Sequence, residues 1–308
     1  LNASQRPRIN PYIAVVLATL SISTSAIWVR LADAPAAVTA FYRLFFSTLF
    51  MAPFLYKHIG EFRSMTRKSV LWCALAGICL AFHFILWFQS LAYTSVASSV
   101  VLVTIQPIFA FAGSVLFFKT RLRLYAVVGA LCAISGSVLI GWGDFGTSRA
   151  ALYGDVLALV ACLLITVYLM VGQEVRKDME LYAYTLLVYA FAALALFLFV
   201  LVSRQALFNH APKDWLMFLL LAVFPTLLGH SVYNWSVKWV GVNTLSMTIL
   251  GEPVGSSILA YIFFGETLGP LQLAGSLVIL TGIFLYLMGE SKTKARKKPS
   301  ALSSSTQT

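Results

Sequence analysis

Residues 96–118 read VASSVVLVTIQPIFAFAGSVLFF and residues 242–264 read VNTLSMTILGEPVGSSILAYIFF. Each stretch is long enough to cross a hydrocarbon core of ~30 Å as a helix, which takes ~20 residues. Neither shows the strict alternation of a membrane β-strand. Both place a polar residue and a proline near their middle, Gln106-Pro107 in the first and Glu252-Pro253 in the second, and both end in Phe-Phe. Proline has no N–H and crowds the carbonyl four residues back, so each helix is expected to be disrupted at the carbonyls of Val103 and Ile249.

The two stretches superpose at an offset of 146 residues, and the match runs past their ends. At that offset Gly129 falls on Gly275 and Gly136 on Gly282. Leucine coincidences carry little weight in such a chain, whereas prolines and glycines are rarer. Working outward, apolar runs of spanning length occur at about 12–30, 35–56, 70–91, 96–118, 124–142, 153–173, 182–203, 215–236, 242–264 and 270–288. The offset divides them into two units of five, residues 1–150 and 151–290. Residues 291–308 are basic and then Ser/Thr-rich, the composition of a disordered tail. Five is odd, so the second unit enters the bilayer in the opposite sense to the first. The expected fold is an all-α membrane protein with ten transmembrane helices arranged as two inverted five-helix repeats.

Composition leaves little room for a soluble alternative. Of 308 residues, 60% are hydrophobic and 11% charged, with mean hydropathy +0.86, where a soluble chain carries about a quarter charged residues. The net charge of +11 does not point to nucleic acid, because the basic residues lie between apolar runs. Placing the N-terminus inside puts 17 of the Lys and Arg residues on the inner side, among them Arg63, Arg67, Arg121, Arg176 and Lys238. Only 4, namely Arg30, Arg149, Arg204 and Lys213, then lie outside, and Arg43 sits within the second run. The positive-inside rule therefore places both termini in the cytoplasm and the chain in the cell's inner membrane, as a multi-pass protein. The first run follows Arg6 and Arg8 and reaches about Val29. That exceeds the ~7–15 apolar residues of a signal peptide, so it reads as a retained helix. Cys73, Cys79, Cys132 and Cys162 all lie inside apolar runs, without metal-ligand spacing, and read as small packing residues.

Inverted repeats place a site near the bilayer midplane where the halves meet, and rocking of one half on the other exposes that site to each side in turn. Transport is the expectation that follows. A channel is the alternative, but no ring of like charges or re-entrant filter is evident. An enzyme is disfavoured. Gly141-Trp142-Gly143-Asp144 spells the GxGD of intramembrane aspartyl proteases, yet that chemistry needs two carboxylates at one depth. Asp155, the next acidic residue, opens the sixth helix outside the Tyr-Asp context such enzymes use. Residues 251–255 fit GxxxG, but the internal Pro253 spoils a straight packing seam. There is no P-loop, HExxH, dinucleotide fingerprint or zinc cluster, so no cofactor and no ATP use are expected.

Several segments carry a family resemblance. Ala34-Pro35-Ala36-Ala37-Val38-Thr39-Ala40-Phe41-Tyr42-Arg43, Gln106-Pro107, and Glu252-Pro253 followed by Phe264-Gly265-Glu266 resemble the drug/metabolite transporter superfamily, and within it the EamA-type ten-helix exporters. The likeness covers all but the tail. Within that group the chain is similar to the YddG-like amino-acid exporters, which implies efflux of aromatic and other neutral amino acids. It departs from the family after the fourth helix, where a Glu-Arg pair is usual and Lys119-Thr120-Arg121 stands instead. The second copy keeps Glu266.

Polar and ionisable groups inside spans are costly, so each is a functional candidate. Glu252 and Gln106, beside their prolines, are expected to face a substrate path; the plainer alternative is a helix kink with Glu252 satisfied by a neighbouring helix. His83 and Trp87 stand four apart, hence on one helix face, as do His230 and Asn234. The 146-residue offset lays Trp87 on Tyr233, so aromatics recur at one level of both halves. Such a cavity would stack an apolar side chain and hydrogen-bond its polar end. Against this stands ordinary interhelical bonding. Tyr168 is a further cavity candidate. Thr19, Ser21, Ser23, Thr24 and Ser25 read first as small residues for close helix approach, and Arg43 as snorkelling outward or as a structural partner of an acidic group rather than a ligand-binding residue. The expected partners are a small-molecule substrate, an amino acid or similar metabolite, and the lipid bilayer.

Overall fold

In lipid every backbone N–H and C=O must find its partner within the protein, which an apolar chain achieves by closing helices. The computed structural model describes residue 7 and residues 9–63, 65–142, 148–265 and 269–296, and among these there is no strand. Among the described residues ten helices are long and apolar enough to cross a membrane. They are span 1, Pro11–Leu31; span 2, Ala36–Arg63; span 3, Arg67–Ser90; span 4, Val96–Leu116; span 5, Leu124–Gly141; span 6, Arg149–Val175; span 7, Leu181–Val202; span 8, Pro212–Val240; span 9, Val242–Phe264; and span 10, Pro270–Thr293.

These coincide with the apolar runs to within a few residues at most ends. Span 2 runs further than expected because Leu55–Arg63, a polar-faced segment with Lys57, His58 and Glu61, continues the helix past Pro53. The last helix also continues, to Arg296, six residues into the predicted tail. Residues 297–308, Arg6, Arg8, Asp144, Glu266 and Thr267 lie outside the described residues.

Both proline-bearing spans are interrupted where the sequence places the break. Span 4 is two helices, Val96–Thr104 and Gln106–Leu116, with Ile105 leaving helical geometry between them. Span 9 is Val242–Ile249 and Glu252–Phe264, parted at Leu250-Gly251. Two further breaks accompany them. Span 1 is interrupted at Thr24, between Pro11–Ser23 and Ser25–Leu31. Span 8 winds as a π-helix from Ala222 to His230 around Pro225, a geometry that frees backbone groups and recurs at functional sites. Spans 8 and 9 are joined by Gly241 alone, at φ 81°, where a side chain would strain the turn.

Spans 5 and 10 pack through glycines. A Cβ on Gly129 would lie 2.9 Å from the Gly282 carbonyl oxygen, and one on Gly136 would lie 2.6 Å from that of Gly275. Residue number rises along one helix as it falls along the other, so the two run antiparallel. These are the residues matched by the 146-residue offset, and the offset carries each contact onto the other. Elsewhere span 3 packs against spans 6 and 7, and span 2 against span 7. The buried centre holds Tyr168, Tyr184, Tyr189, Tyr233 and Phe84, while Leu131, Leu198, Leu277 and Phe284 are exposed. That outward apolar surface suits a hydrocarbon solvent rather than water.

Candidate functional site

The breaks in spans 1, 4, 8 and 9 bring residues from both halves of the chain around one central cavity. His83 and Trp87 of span 3, Gln106 of span 4, His230 and Tyr233 of span 8 and Glu252 of span 9 line it, with Ile22, Val103, Ile165, Leu169 and Ile249 as apolar walls. The rings of His83 and Trp87 stack at 5.9 Å, as four-residue spacing on one helix face allows. His83 Nδ1 donates to the Ala161 carbonyl at 2.9 Å, which turns the ring and leaves Nε2 as its acceptor. Tyr233 hydroxyl meets Thr19 Oγ1 at 2.7 Å, tying span 8 to span 1.

Three polar atoms on this wall, and two on residues outside it, lack partners. Trp87 Nε1, Gln106 Oε1, His230 Nδ1, Asn234 Nδ2 and Arg43 Nη2 are buried and make no hydrogen bond among the described residues. Buried polar groups in folded proteins are nearly always satisfied, so the unsatisfied ones on the cavity wall are candidates for contact with a ligand or water. The Glu252 backbone carbonyl accepts from Ser256 and Ser23. Free volume is about 20 Å3, room for roughly one water. This conformation is therefore contracted around the site.

Access differs between the two faces. Ten crossings among the described residues put the start of span 1 and the end of span 10 on one face, the terminal face. On the opposite face a vestibule of about 680 Å3 opens among the span ends, lined by Pro35, Gln89, Thr94, Gln205 and Gln272, with Thr39 and Phe88 deeper inside their helices. Toward the terminal face a layer of polar contacts closes the protein. Ser114 Oγ donates to Asn243 Oδ1 at 2.7 Å, and the Val242 amide donates to Gln173 Oε1 at 2.6 Å. Thr244 Oγ1 donates to Glu290 Oε2 at 2.8 Å. Arg176, also buried, donates to the carbonyls of Asn234 and Met179. Three consecutive residues at the start of span 9 thus hold spans 4, 6 and 10.

Of the residues singled out in the sequence, His83, Trp87, Gln106, His230, Tyr233 and Glu252 share the cavity wall. Tyr168 and Asn234 do not; the Tyr168 hydroxyl donates to Asn234 Oδ1 at 2.5 Å, and the Tyr168 ring lies 6.4 Å from that of His230. They buttress the wall from behind. Arg43 makes no direct ion pair with an acidic group among the described residues, although it and Glu252 attract each other. Its Nε donates to Thr226 Oγ1 at 2.7 Å and its Nη1 to Ser25 Oγ at 2.9 Å, while Phe84 lies 4.0 Å away beneath the guanidinium. The hydroxyls of span 1 also do more than permit close approach, since Thr19, Ser23 and Ser25 each bond to a residue of another span. Sequence reading missed this because the partners, Tyr233, Glu252 and Arg43, lie far away in the chain. The π-helical turn was signalled only by Pro225.

The model of the EamA-like transporter family matches the chain twice, over residues 9–142 and 152–288. An uncharacterized transporter of Archaeoglobus fulgidus is 25% identical over 273 residues, covering 88% of this chain and 94% of its own. The uncharacterized transporter YdfC of Bacillus subtilis is 23% identical over 241 residues, 77% of this chain and 78% of its own. A WAT1-related protein of Arabidopsis thaliana is 21% identical over 310 residues, covering 86% and 82%. A solved crystal structure shares the fold with a TM-score of 0.72 at 19% identity, over 92% of this chain and 99% of that one. The twofold match, one copy on each half, accords with paired breaks and paired glycines: the chain belongs to the EamA-like transporter family, within the drug/metabolite transporter superfamily.

Proposed function

We propose that the chain is a secondary transporter that exports small metabolites, foremost aromatic and other neutral amino acids, across the cytoplasmic membrane by alternating access. One observation carries this reading. A contracted cavity lined by aromatic rings, one amide and a carboxyl group lies between the broken helices, with a wide vestibule on one face and a sealed layer on the other. A carrier needs such a site, reachable from one side at a time, whereas a channel needs a continuous path. The excess of Lys and Arg on the terminal side supports a cytoplasmic location for both ends. The vestibule then opens outward and the sealed layer faces the cytoplasm, an arrangement suited to releasing an exported molecule. Aromatic walls favour a substrate with a flat apolar side chain, and the unsatisfied polar atoms favour one with a polar head. Residues 1–150 and 151–290 act as the two rocking units.

Counterflow in proteoliposomes tests the reading. Vesicles preloaded with unlabelled phenylalanine are expected to accumulate labelled phenylalanine transiently, with saturable dependence on its concentration. Flux that rises linearly without trans-stimulation would indicate a channel. Absence of flux for every neutral amino acid would overturn the substrate assignment.

A further inference from the structure

Two ionisable side chains are buried around this site at membrane depth, Arg43 at 0% and Glu252 at 5% exposure. A guanidinium keeps its proton and offers five N–H donors. Arg43 gives one to Thr226 and one to Ser25, and Nη2 has no partner. No ion pair joins it to any described carboxylate. Among the described residues, no donor reaches the Glu252 carboxylate either; its two hydrogen bonds are made by its backbone carbonyl. The two groups are near enough to attract each other through the interior, but neither makes a direct ion pair among the described residues.

Their placement brings both onto the path. Phe88, a vestibule wall, lies 5.9 Å from the Arg43 guanidinium. Phe84 stacks on the same guanidinium at 4.0 Å and meets the ring of His230, a wall of the central cavity, at 5.6 Å. Arg43 therefore stands between the vestibule and the central cavity, one ring from each, and Glu252 lines the latter. Both are anchored on the break in span 1, Arg43 through Ser25 and Glu252 through Ser23.

Building on the transport reading above, we propose that the substrate is a zwitterion held by both ends, its carboxylate on the free edge of the Arg43 guanidinium and its ammonium on the Glu252 carboxylate. Gln106 Oε1, also without a partner, is a second acceptor for the ammonium. An unpaired ion in a low-dielectric interior is unfavourable, and a ligand with one charge of each sign relieves both residues at once. A lone amine or a lone acid relieves one and leaves the other as it was. Because the central cavity is contracted here, the rings of Phe84 and Phe88 must turn aside as the substrate enters.

The test uses the full chain in proteoliposomes, with phenylalanine, phenethylamine and 3-phenylpropionate as competitors of labelled phenylalanine counterflow. In the wild type, each analogue lacking one charged end is expected to compete roughly thirtyfold less well than phenylalanine, the effect of one lost charge-assisted hydrogen-bond pair. In Arg43→Gln the preference for phenylalanine over phenethylamine should fall to about threefold, while that over 3-phenylpropionate persists. Glu252→Gln should show the reverse pattern, and Arg43→Lys should recover part of the carboxylate preference. Residual counterflow, monodispersity and thermal stability of each variant check that it is folded. If Arg43→Gln does not fold, Arg43→Lys and Glu252→Gln decide the assignment, and an unchanged analogue preference in both overturns it. Equal competition by phenylalanine and phenethylamine in the wild type overturns the proposal while leaving amino-acid transport standing. An unchanged preference in Arg43→Gln does the same. Absence of phenylalanine counterflow in the wild type instead overturns the transport reading, and this proposal with it.

Discussion

Gly136 and Gly275 give a quantitative test of the seam between the two halves. A Cβ on Gly136 would meet the Gly275 oxygen at 2.6 Å and the Ile279 nitrogen at 2.7 Å; a Cβ on Gly275 would meet the Gly136 oxygen at 2.6 Å. Ordinary contact begins at 3.4 Å, so the overlap is 0.8 Å, and the obstacle is backbone, which no rotamer change relieves. Spans 5 and 10 must separate. Overpacking of this kind costs about 1–3 kcal/mol, and the backbone obstacle puts it at the upper end. Alanine returns about 0.8–1.0 kcal/mol in helix propensity. The net expectation for Gly136→Ala is a loss of about 2 kcal/mol, read as a melting temperature lowered by roughly 4–8 °C in detergent. Gly275→Ala should match it. The double variant should lose far less than twice as much, because a single separation of the helices accommodates both methyl groups. Gly60→Ala, with nothing within 4 Å of the new methyl group, is the control and should be neutral or stabilising. A Gly136→Ala protein as stable as wild type, or strict additivity in the double variant, would refute the close antiparallel seam.

Glu252→Gln and Trp87→Ala are expected to reduce counterflow about tenfold or more at equal yield of folded protein, since both side chains line the cavity; wild-type flux in both would remove the site from this cavity. Tyr168→Phe deletes the hydroxyl that donates to Asn234 while Asn234 Nδ2 already lacks a partner. It should lower stability by about 1–3 kcal/mol, with a smaller effect on substrate preference than on melting temperature.

The spans were legible because twenty apolar residues in a row admit few other structures, and the breaks in spans 4 and 9 because proline removes a backbone donor wherever it stands. Six of the cavity residues were legible for a related reason: buried polar side chains in a bilayer have little to do except pair or bind. What a linear reading does not carry is which distant group answers which. Arg43 reads as one half of an ion pair, yet its neighbours are the hydroxyls of Ser25 and Thr226 and the face of Phe84. Thr226 is positioned by the π-helical winding of span 8, and one proline in a long apolar run does not announce that geometry. The terminal-face seal was equally hidden. Val242, Asn243 and Thr244 look like the start of an ordinary helix, and only the packing of spans 4, 6 and 10 around them makes them a closure.

Alternating access requires that this closure open during every transport cycle. The direct measurement is counterflow by a protein carrying Ser114→Cys and Asn243→Cys, whose native side chains are hydrogen-bonded at 2.7 Å across the seal, with the partly exposed Cys132 replaced by alanine. Once these cysteines are oxidised to a disulfide, exchange should fall to the level of empty vesicles, and reduction should restore it. Exchange that continues unchanged in fully cross-linked protein would contradict alternating access through this site.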